Sequence, residues 1–187
     1  MNSILLEVLI IFCLLLANGV FAMAEISVVS SRKARLKKLA DDGSPSAGKA
    51  LALAREPSRF LATVQIGITL VGILAGAFGG ATIADQIASA VAQVPALAPY
   101  SKAIGLIVVV VAITYASLII GELVPKRIGL NNPEKKAMLI AGPMSALSRF
   151  AAPFVWLLTT STEAVLQVLG LGKDVEAPPS EEEVSHL

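Results

Sequence analysis

The sequence contains little cysteine, little histidine and little charge. Its 187 residues include one cysteine, one histidine and 16% charged residues. Because Cys13 has no second cysteine in the chain, an internal disulfide and a thiolate metal cluster are excluded. The formal net charge of +1 provides no broad basic surface, so we expect no nucleic-acid partner. No nucleophile–base pair or phosphate-binding loop is recognisable, so we predict neither an enzyme nor an organic cofactor.

Apolar residues are abundant instead. Hydrophobic residues make up 55% of the chain, and the mean hydropathy is +0.76. A helix rises about 1.5 Å per residue, so roughly 20 apolar residues cross a bilayer. Three segments meet that length, at about residues 4–31, 60–80 and 103–124. We therefore expect an all-α membrane protein with three transmembrane helices.

Between the first two spans the chain is polar but helix-forming. Ala34–Ala40 and Ala47–Arg55 are rich in alanine, leucine, lysine and arginine. The breaker sequence DDGSPS separates them. This pattern predicts a helical hairpin whose cationic side chains lie against anionic lipid headgroups.

After the third span, residues 133–171 are apolar but interrupted by Pro143, Arg149 and Pro153. The uninterrupted pieces are too short to cross a bilayer, so we expect a kinked pair of helices that form a juxtamembrane belt. The alternative is a fourth crossing through Phe150–Leu171. Residues 176–187 are acidic and contain proline, which predicts a linker to a further domain.

Basic residues set the expected orientation. Five of the seven positions from Arg32 to Lys38 are basic, and Lys126 and Arg127 follow the third span. Basic residues next to a span favour the cytoplasmic side. We therefore place the N-terminus outside and the C-terminus in the cytoplasm.

Glu122 is the main candidate for a functional side chain. It lies directly after Gly121 at the end of the most apolar segment. A carboxylate at the edge of hydrocarbon costs roughly 2–3 kcal/mol, so its presence indicates a function. Pro125 has no N–H and disfavours helical geometry at the preceding residue, which leaves nearby carbonyls without their usual donors. A carboxylate beside free carbonyls suits a cation.

Other polar side chains also lie within the apolar spans. Asn18 and Glu25 are seven residues apart and share one helix face, as do Gln65 and Thr69 at i and i+4. Gathering such groups around a cation would satisfy all of them. We predict a cation site open to the cytoplasm, with three of its members as candidate metal ligands (Glu122, the Gly121 carbonyl and Ser27). The full predicted site is Glu122, Gly121, Glu25, Ser27, Gln65 and Thr69.

Each of these groups also has a purely structural interpretation. Glu25 would pair with Lys33 or another nearby basic residue, and Ser27 would bond back to its own helix. Glu122 would pair with Lys126 at i+4, which is worth about 0.3–0.5 kcal/mol in water.

A ridge of small residues runs along the second span. Gly72, Gly76 and Gly80 recur every four residues, a spacing that lets another helix approach closely. Three helices make a thin wall around a polar cavity, so we expect a homodimer.

Three stretches in order carry a family resemblance: FAMAEISVVSSRKARLKKLADDG, PSRFLATVQIGITLVGIL and GELVPKRIGLNNPE. They resemble the transmembrane domain of the CNNM/CorC family over about residues 1–175. The resemblance implies a homodimer in the bacterial inner membrane, followed by cytoplasmic CBS modules. It further implies Mg²⁺ efflux, thought to be coupled to Na⁺ entry, and a π-type turn near Gly121 and Glu122.

The second span departs from the family pattern. Where many members carry two asparagines that help to bind the metal, this chain has Ile68 and Gly72. Mg²⁺ requires near-octahedral oxygen ligation, so the loss of two amide oxygens weakens a magnesium site. The wording of VQIG, EIS and PKRIG is closer to a bacterial branch that includes an exporter of putrescine and cadaverine. For a diamine, Glu25 and Glu122 would suffice as two poles.

Two hypotheses of function follow. In the first, the protein exports a small cation, either Mg²⁺ or another divalent metal, or else a polyamine. In the second, it senses cations and regulates without transport.

Overall fold

The structure, a computed structural model, describes residues 3–170, and this part of the chain is helical without strands. Two five-residue π turns interrupt the spans, at Gly79–Ile83 and at Ile119–Leu123. A short 3₁₀ helix, Ala98–Tyr100, precedes the third span. The α-helices of residues 3–170 are α1 (Ser3–Ser30), α2 (Lys33–Asp41), α3 (Pro45–Arg55), α4 (Pro57–Phe78), α5 (Ala84–Val91), α6 (Ser101–Leu118), α7 (Val124–Leu130) and α8 (Pro133–Val168).

Four segments within residues 3–170 are long and apolar enough to cross a membrane. They are Leu5–Ser30, Pro57–Phe78, Ala98–Leu130 and Pro133–Val168. The first three agree with the spans predicted at 4–31, 60–80 and 103–124. The fourth qualifies by length and composition. The chain is therefore a multi-pass membrane protein whose described part has four apolar helical segments, and a count of three crossings stays a prediction.

The expected pair of helices at 133–171 is wrong, because the structure has one helix, α8, over Pro133–Val168. Pro143 and Pro153 lie inside it. The proline ring fixes φ near −65°, which is a helical value. Each proline therefore removes one backbone hydrogen bond without ending the helix.

The predicted hairpin is confirmed by α2 and α3. The turn between them contains Gly43, whose φ of +93° is in the left-handed region that favours glycine. The Ser44 hydroxyl then accepts a 3.4 Å hydrogen bond from the backbone N–H of Ala47, which caps α3. Pro45 is the first residue of α3. The sequence DDGSPS thus ends one helix and begins the next.

The chain divides into two compact units, and the boundary follows Arg149. In the first unit the core lies where the end of α1, the hairpin, the start of α4 and the start of α8 meet. Leu36 and Phe60 are its largest fully buried side chains. By contrast, only 11–28% of the apolar window of each candidate span is buried in the chain. The spans therefore present most of their apolar surface to lipid or to another protein. The core cluster comprises Ala24, Val28, Leu36, Ala50, Leu51, Leu53, Ala54, Phe60, Val64, Ala137, Ile140, Ala141 and Met144.

The second unit begins at Phe150, and its described part contains the rest of α8. Large apolar side chains on this part, such as Phe150, Trp156 and Val165, are exposed. The linker predicted at 176–187 lies outside the described residues.

Candidate functional site

The third span is interrupted where the sequence places Gly121 and Glu122. Both residues lie in the π turn Ile119–Leu123, as the family resemblance implied. The N–H of Val124 bonds to the carbonyl of Ile119, five residues back. Pro125 follows and has no N–H to donate to the Gly121 carbonyl. Single π turns within α-helices are frequent at functional sites.

Helix α1 contacts this π turn directly. The Asn18 Nδ2 donates a 3.1 Å hydrogen bond to the Gly121 carbonyl oxygen. Small residues permit the approach: a Cβ on Gly19 would lie 2.8 Å from Pro125 Cγ and 3.0 Å from the Ile120 carbonyl oxygen. A Cβ on Gly121 would lie 2.9 Å from Asn18 Nδ2. The backbones at this crossing are therefore as close as glycine allows.

Asn18 carries an unused acceptor into this region. The side chain is buried, at 8% exposure, and its Oδ1 has no hydrogen-bond partner among residues 3–170. A buried amide oxygen normally has a hydrogen-bond partner. This oxygen is therefore an available ligand for a donor or a cation. The predicted site omits Asn18, although its seven-residue spacing from Glu25 already places both side chains on one face of α1.

The two predicted carboxylates meet at a lysine. The Lys126 Nζ lies 2.8 Å from Glu122 Oε1 and 3.7 Å from Glu25 Oε2. The pairing of Glu122 with Lys126 at i+4 is thus present, and Glu25 pairs with Lys126 rather than with Lys33. The side chains of Glu122, Glu25 and Lys126 are 43%, 30% and 35% exposed, respectively. Two carboxylates and one ammonium leave this cluster with a formal charge of −1.

Ser27 makes the local bond that its structural interpretation describes. Its side chain is fully buried, and its Oγ donates a 3.2 Å hydrogen bond to the Ala24 carbonyl. At 3.6 residues per turn, a residue two positions from Glu25 lies on roughly the opposite face of α1. Ser27 is therefore separated from the carboxylate pair by its helix.

Gln65 and Thr69 lie on the exposed side of α4. Of the predicted site residues, the structure brings together Glu25 and Glu122, and it links Gly121 to α1 through Asn18. Within residues 3–170 there is no group of three or more His, Cys, Asp or Glu side chains that could hold a metal ion. Oxygen ligands here would come from these carboxylates, the Gly121 carbonyl and the Asn18 amide.

The glycine ridge of α4, whose last residue lies in the π turn Gly79–Ile83, is open within the described residues. A Cβ on Gly72, Gly76 or Gly80 would meet nothing within 4 Å. The three glycines line a groove of about 260 Å³, with Thr114 and Ser117 on its opposite wall. The ridge is thus available for a partner that is not a helix of the described chain.

Comparison with known proteins places these features in context. The model of the protein family described as "Cyclin M transmembrane N-terminal domain" matches residues 9–187 of this chain. A UPF0053 protein of Synechocystis sp. is 47% identical over 183 residues, which cover 98% of this chain and 41% of that protein.

Two other similar proteins are named for polyamine export. The polyamine export protein of Escherichia coli K12 is 32% identical over 165 residues, covering 88% of this chain and 37% of that protein. The polyamine export protein of Salmonella typhimurium is 35% identical over 151 residues, covering 81% and 34%. The chain therefore spans less than half the length of these curated relatives.

Proposed function

The chain belongs to the cyclin M transmembrane domain family, and from that premise we propose that it is the membrane domain of an exporter of small cations. The family is described as a transmembrane domain, which supports a role in binding a solute within the membrane. We assign this role to the acidic cluster, which consists of Glu25, Glu122 and Lys126 at the interrupted third span. Its carboxylates supply the negative charge that a cation site needs.

The observation that carries the proposal is the position of Lys126 beside Glu25 and Glu122. Its ammonium bonds to one carboxylate and lies near a second from a different element, an arrangement that also suits one end of a diamine, whereas two poles for the two amines were expected from the sequence. We therefore favour a polyamine such as putrescine or cadaverine as the substrate. The names of the relatives from Escherichia coli and Salmonella typhimurium, which describe polyamine export by those proteins, support the same choice.

The second candidate is export of Mg²⁺ or another divalent metal, with Na⁺ as the coupling ion. The Gly121 carbonyl, next to Glu122 in the chain, and the unpaired Oδ1 of Asn18, whose Nδ2 bonds to that carbonyl, favour it because both are oxygen ligands. The hydroxyl of Ser27, the third predicted metal ligand, is already bonded to Ala24. Mg²⁺ would therefore keep several of its waters or recruit other ligands. A regulator that senses the cation without transport would use the same cluster.

Two further features complete the proposal. The open glycine ridge of α4 supports assembly as a homodimer, and the basic segment Arg32–Lys38 supports a cytoplasmic position for the hairpin. We place the protein in the bacterial inner membrane, with the N-terminus outside and the C-terminus in the cytoplasm.

Calorimetric titration of the purified full-length protein with putrescine, and separately with MgCl₂, in sodium-free buffer tests the proposal. We expect putrescine to bind, and Glu122→Gln to weaken binding by about tenfold or more because it removes a charge in contact with the ligand. Glu56→Gln is the matched control, because Glu56 is exposed and pairs only with Arg59 among the described residues. Expression and oligomer yield should be normal for both variants.

If Glu122→Gln changes thermal stability but leaves binding intact, the carboxylate is structural and the site assignment is wrong. Flux of labelled putrescine or Mg²⁺ in proteoliposomes separates a transporter from a sensor. Binding without flux would contradict the export hypothesis and leave the regulatory one.

A further inference from the structure

We propose that Lys126 is a tethered competitor of the transported cation: its ammonium holds the Glu25–Glu122 pair when the site is empty and leaves it when the substrate enters. This inference rests on the proposed function of the acidic cluster as a cation site. It assigns to Lys126 a role that its charge alone, which would repel a cation, does not suggest.

The contact between Lys126 and Glu25 depends on tertiary structure. An i+4 pair such as Glu122 and Lys126 forms on any helix surface. Glu25, however, comes from α1, and its Oε2 reaches within 3.7 Å of Lys126 Nζ only because α1 packs tightly on α7. At Gly129, also in α7, an added Cβ would lie 3.0 Å from the Met23 carbonyl oxygen. The fold thus places one ammonium between carboxylates of two separate elements.

The lysine is held loosely enough to exchange. All three side chains are about one-third exposed, so water and solutes reach the cluster. The ammonium makes one short bond, 2.8 Å to Glu122, and lies at 3.7 Å from Glu25, beyond hydrogen-bond distance. The Lys126 side chain has a flexible four-carbon stem, so its ammonium swings away without movement of the helix.

As a consequence, the Lys126 ammonium occupies the site again each time the substrate leaves. A tethered ligand competes at an effective concentration of about millimolar or above, set by its linker. The two carboxylates carry a formal charge of −2, which the ammonium reduces to −1, and binding of a substrate frees the ammonium so that the cation balances the full −2. When the substrate leaves, the ammonium returns and restores the paired state. Both carboxylates are therefore neutralised in part throughout the cycle, which lowers the cost of an empty site near hydrocarbon.

Lys126→Gln tests the inference, with putrescine as the probe in calorimetry of the full-length protein. Removal of the competitor should lower the Kd about tenfold, since the site loses its internal occupant and gains a unit of negative charge. The matched control is Arg127→Gln, which makes the same change in net charge at an exposed neighbouring position. The control should change the Kd by less than about twofold. Lys126→Arg keeps the charge and should bind close to the wild type.

The outcomes separate this inference from the proposed function. If the wild type binds putrescine and Lys126→Gln binds equally or more weakly, the lysine is a structural partner and the inference is wrong. If neither protein binds putrescine or MgCl₂, the proposed function falls, and this inference falls with it.

A measurement on the wild type keeps the test valid should Lys126→Gln fail to fold. Acetylation by acetic anhydride, quantified by mass spectrometry, reports how freely each lysine amine reacts. The ratio of labelling at Lys126 to labelling at Lys135, which is exposed, corrects for reagent consumed by putrescine. This ratio should rise at saturating putrescine because Lys126 leaves its carboxylates. A ratio that stays constant or falls overturns the inference.

Discussion

Asn18 donates a 3.1 Å hydrogen bond from its Nδ2 to the carbonyl oxygen of Gly121, a residue 103 positions further along the chain. Pro125 cannot supply the backbone donor that a regular helix would offer this carbonyl. A side chain from α1 therefore takes the place of a backbone N–H in the third span. The interruption that exposes Glu122 and the attachment of α1 are two results of the same local geometry.

Replacing Asn18 should destabilise the membrane domain. Asn18→Leu keeps the approximate size but leaves the Gly121 carbonyl without this donor. Measured interhelical hydrogen bonds in membranes suggest a loss of about 0.6–2 kcal/mol. A thermal melt in detergent should show a lower Tm for Asn18→Leu than for the wild type. Asn131→Ala, at an exposed asparagine, is the control. Equal Tm values for Asn18→Leu and the wild type would contradict the role of the bond.

Two glycines of different spans should respond oppositely to alanine. The new Cβ in Gly19→Ala would meet Pro125 Cγ at 2.8 Å and a backbone oxygen at 3.0 Å, so α1 must move back. Overpacking of this kind costs about 1–3 kcal/mol. Gly72→Ala would meet nothing within 4 Å in its own chain, and alanine is still small enough for close packing along the ridge, so it should be neutral or slightly stabilising. The Tm in detergent, measured for both variants, checks this difference, and a Gly19→Ala protein as stable as Gly72→Ala would show that the helices are not in close contact.

The open ridge of α4 should determine the oligomeric state. We expect a dimer by light scattering in detergent, and we expect Gly76→Leu to shift it towards monomer, because a large side chain prevents close approach along the ridge. Gly48→Leu is the control, since this glycine of α3 also has open space around it and lies in the polar hairpin. A wild type that stays monomeric over a wide concentration range would refute the dimer. A Gly76→Leu dimer would locate its interface elsewhere.

Single cysteines should reveal the orientation. In a Cys13→Ser background, cysteines at Lys37 and Gln86, both exposed, should react with an impermeant thiol reagent from opposite sides of the membrane. We expect Lys37 on the cytoplasmic side, because basic residues flank it. A cysteine at Leu169, after α8, should label on the same side as Lys37 if the chain crosses three times. Labelling of Leu169 with Gln86 would instead establish α8 as a fourth crossing.

The sequence allowed prediction of the features that depend on local patterns. Apolar length gave the first three spans, and the breaker residues around Gly43 gave the hairpin. The pair formed by Glu122 and Lys126 followed from their i+4 spacing. Local patterns fail at α8, because in the sequence Pro143 and Pro153 indicate breaks, although a proline φ is compatible with a continuing helix.

Other parts of the candidate site depend on how distant segments dock. The approach of Glu25 to Lys126 and of Asn18 to Gly121 requires α1 to lie against the third span, which no spacing within one segment reveals. Gln65 and Thr69 share a face of α4, as predicted, but helical periodicity does not say which neighbour that face meets. Whether they join the cation site stays a prediction.

The small buried share of the third span has a physical consequence for Glu122. Only 11% of the apolar window of Ala98–Leu130 is covered by the rest of the chain. Helices that touch mainly lipid adjust their tilt and depth to the thickness of the hydrocarbon, at a fraction of a kcal/mol per Å of mismatch. We therefore expect acyl-chain length, together with any partner subunit, to influence the depth of the π turn and the distance of Glu122 from the aqueous surface. Lipid composition would then tune access to the acidic cluster.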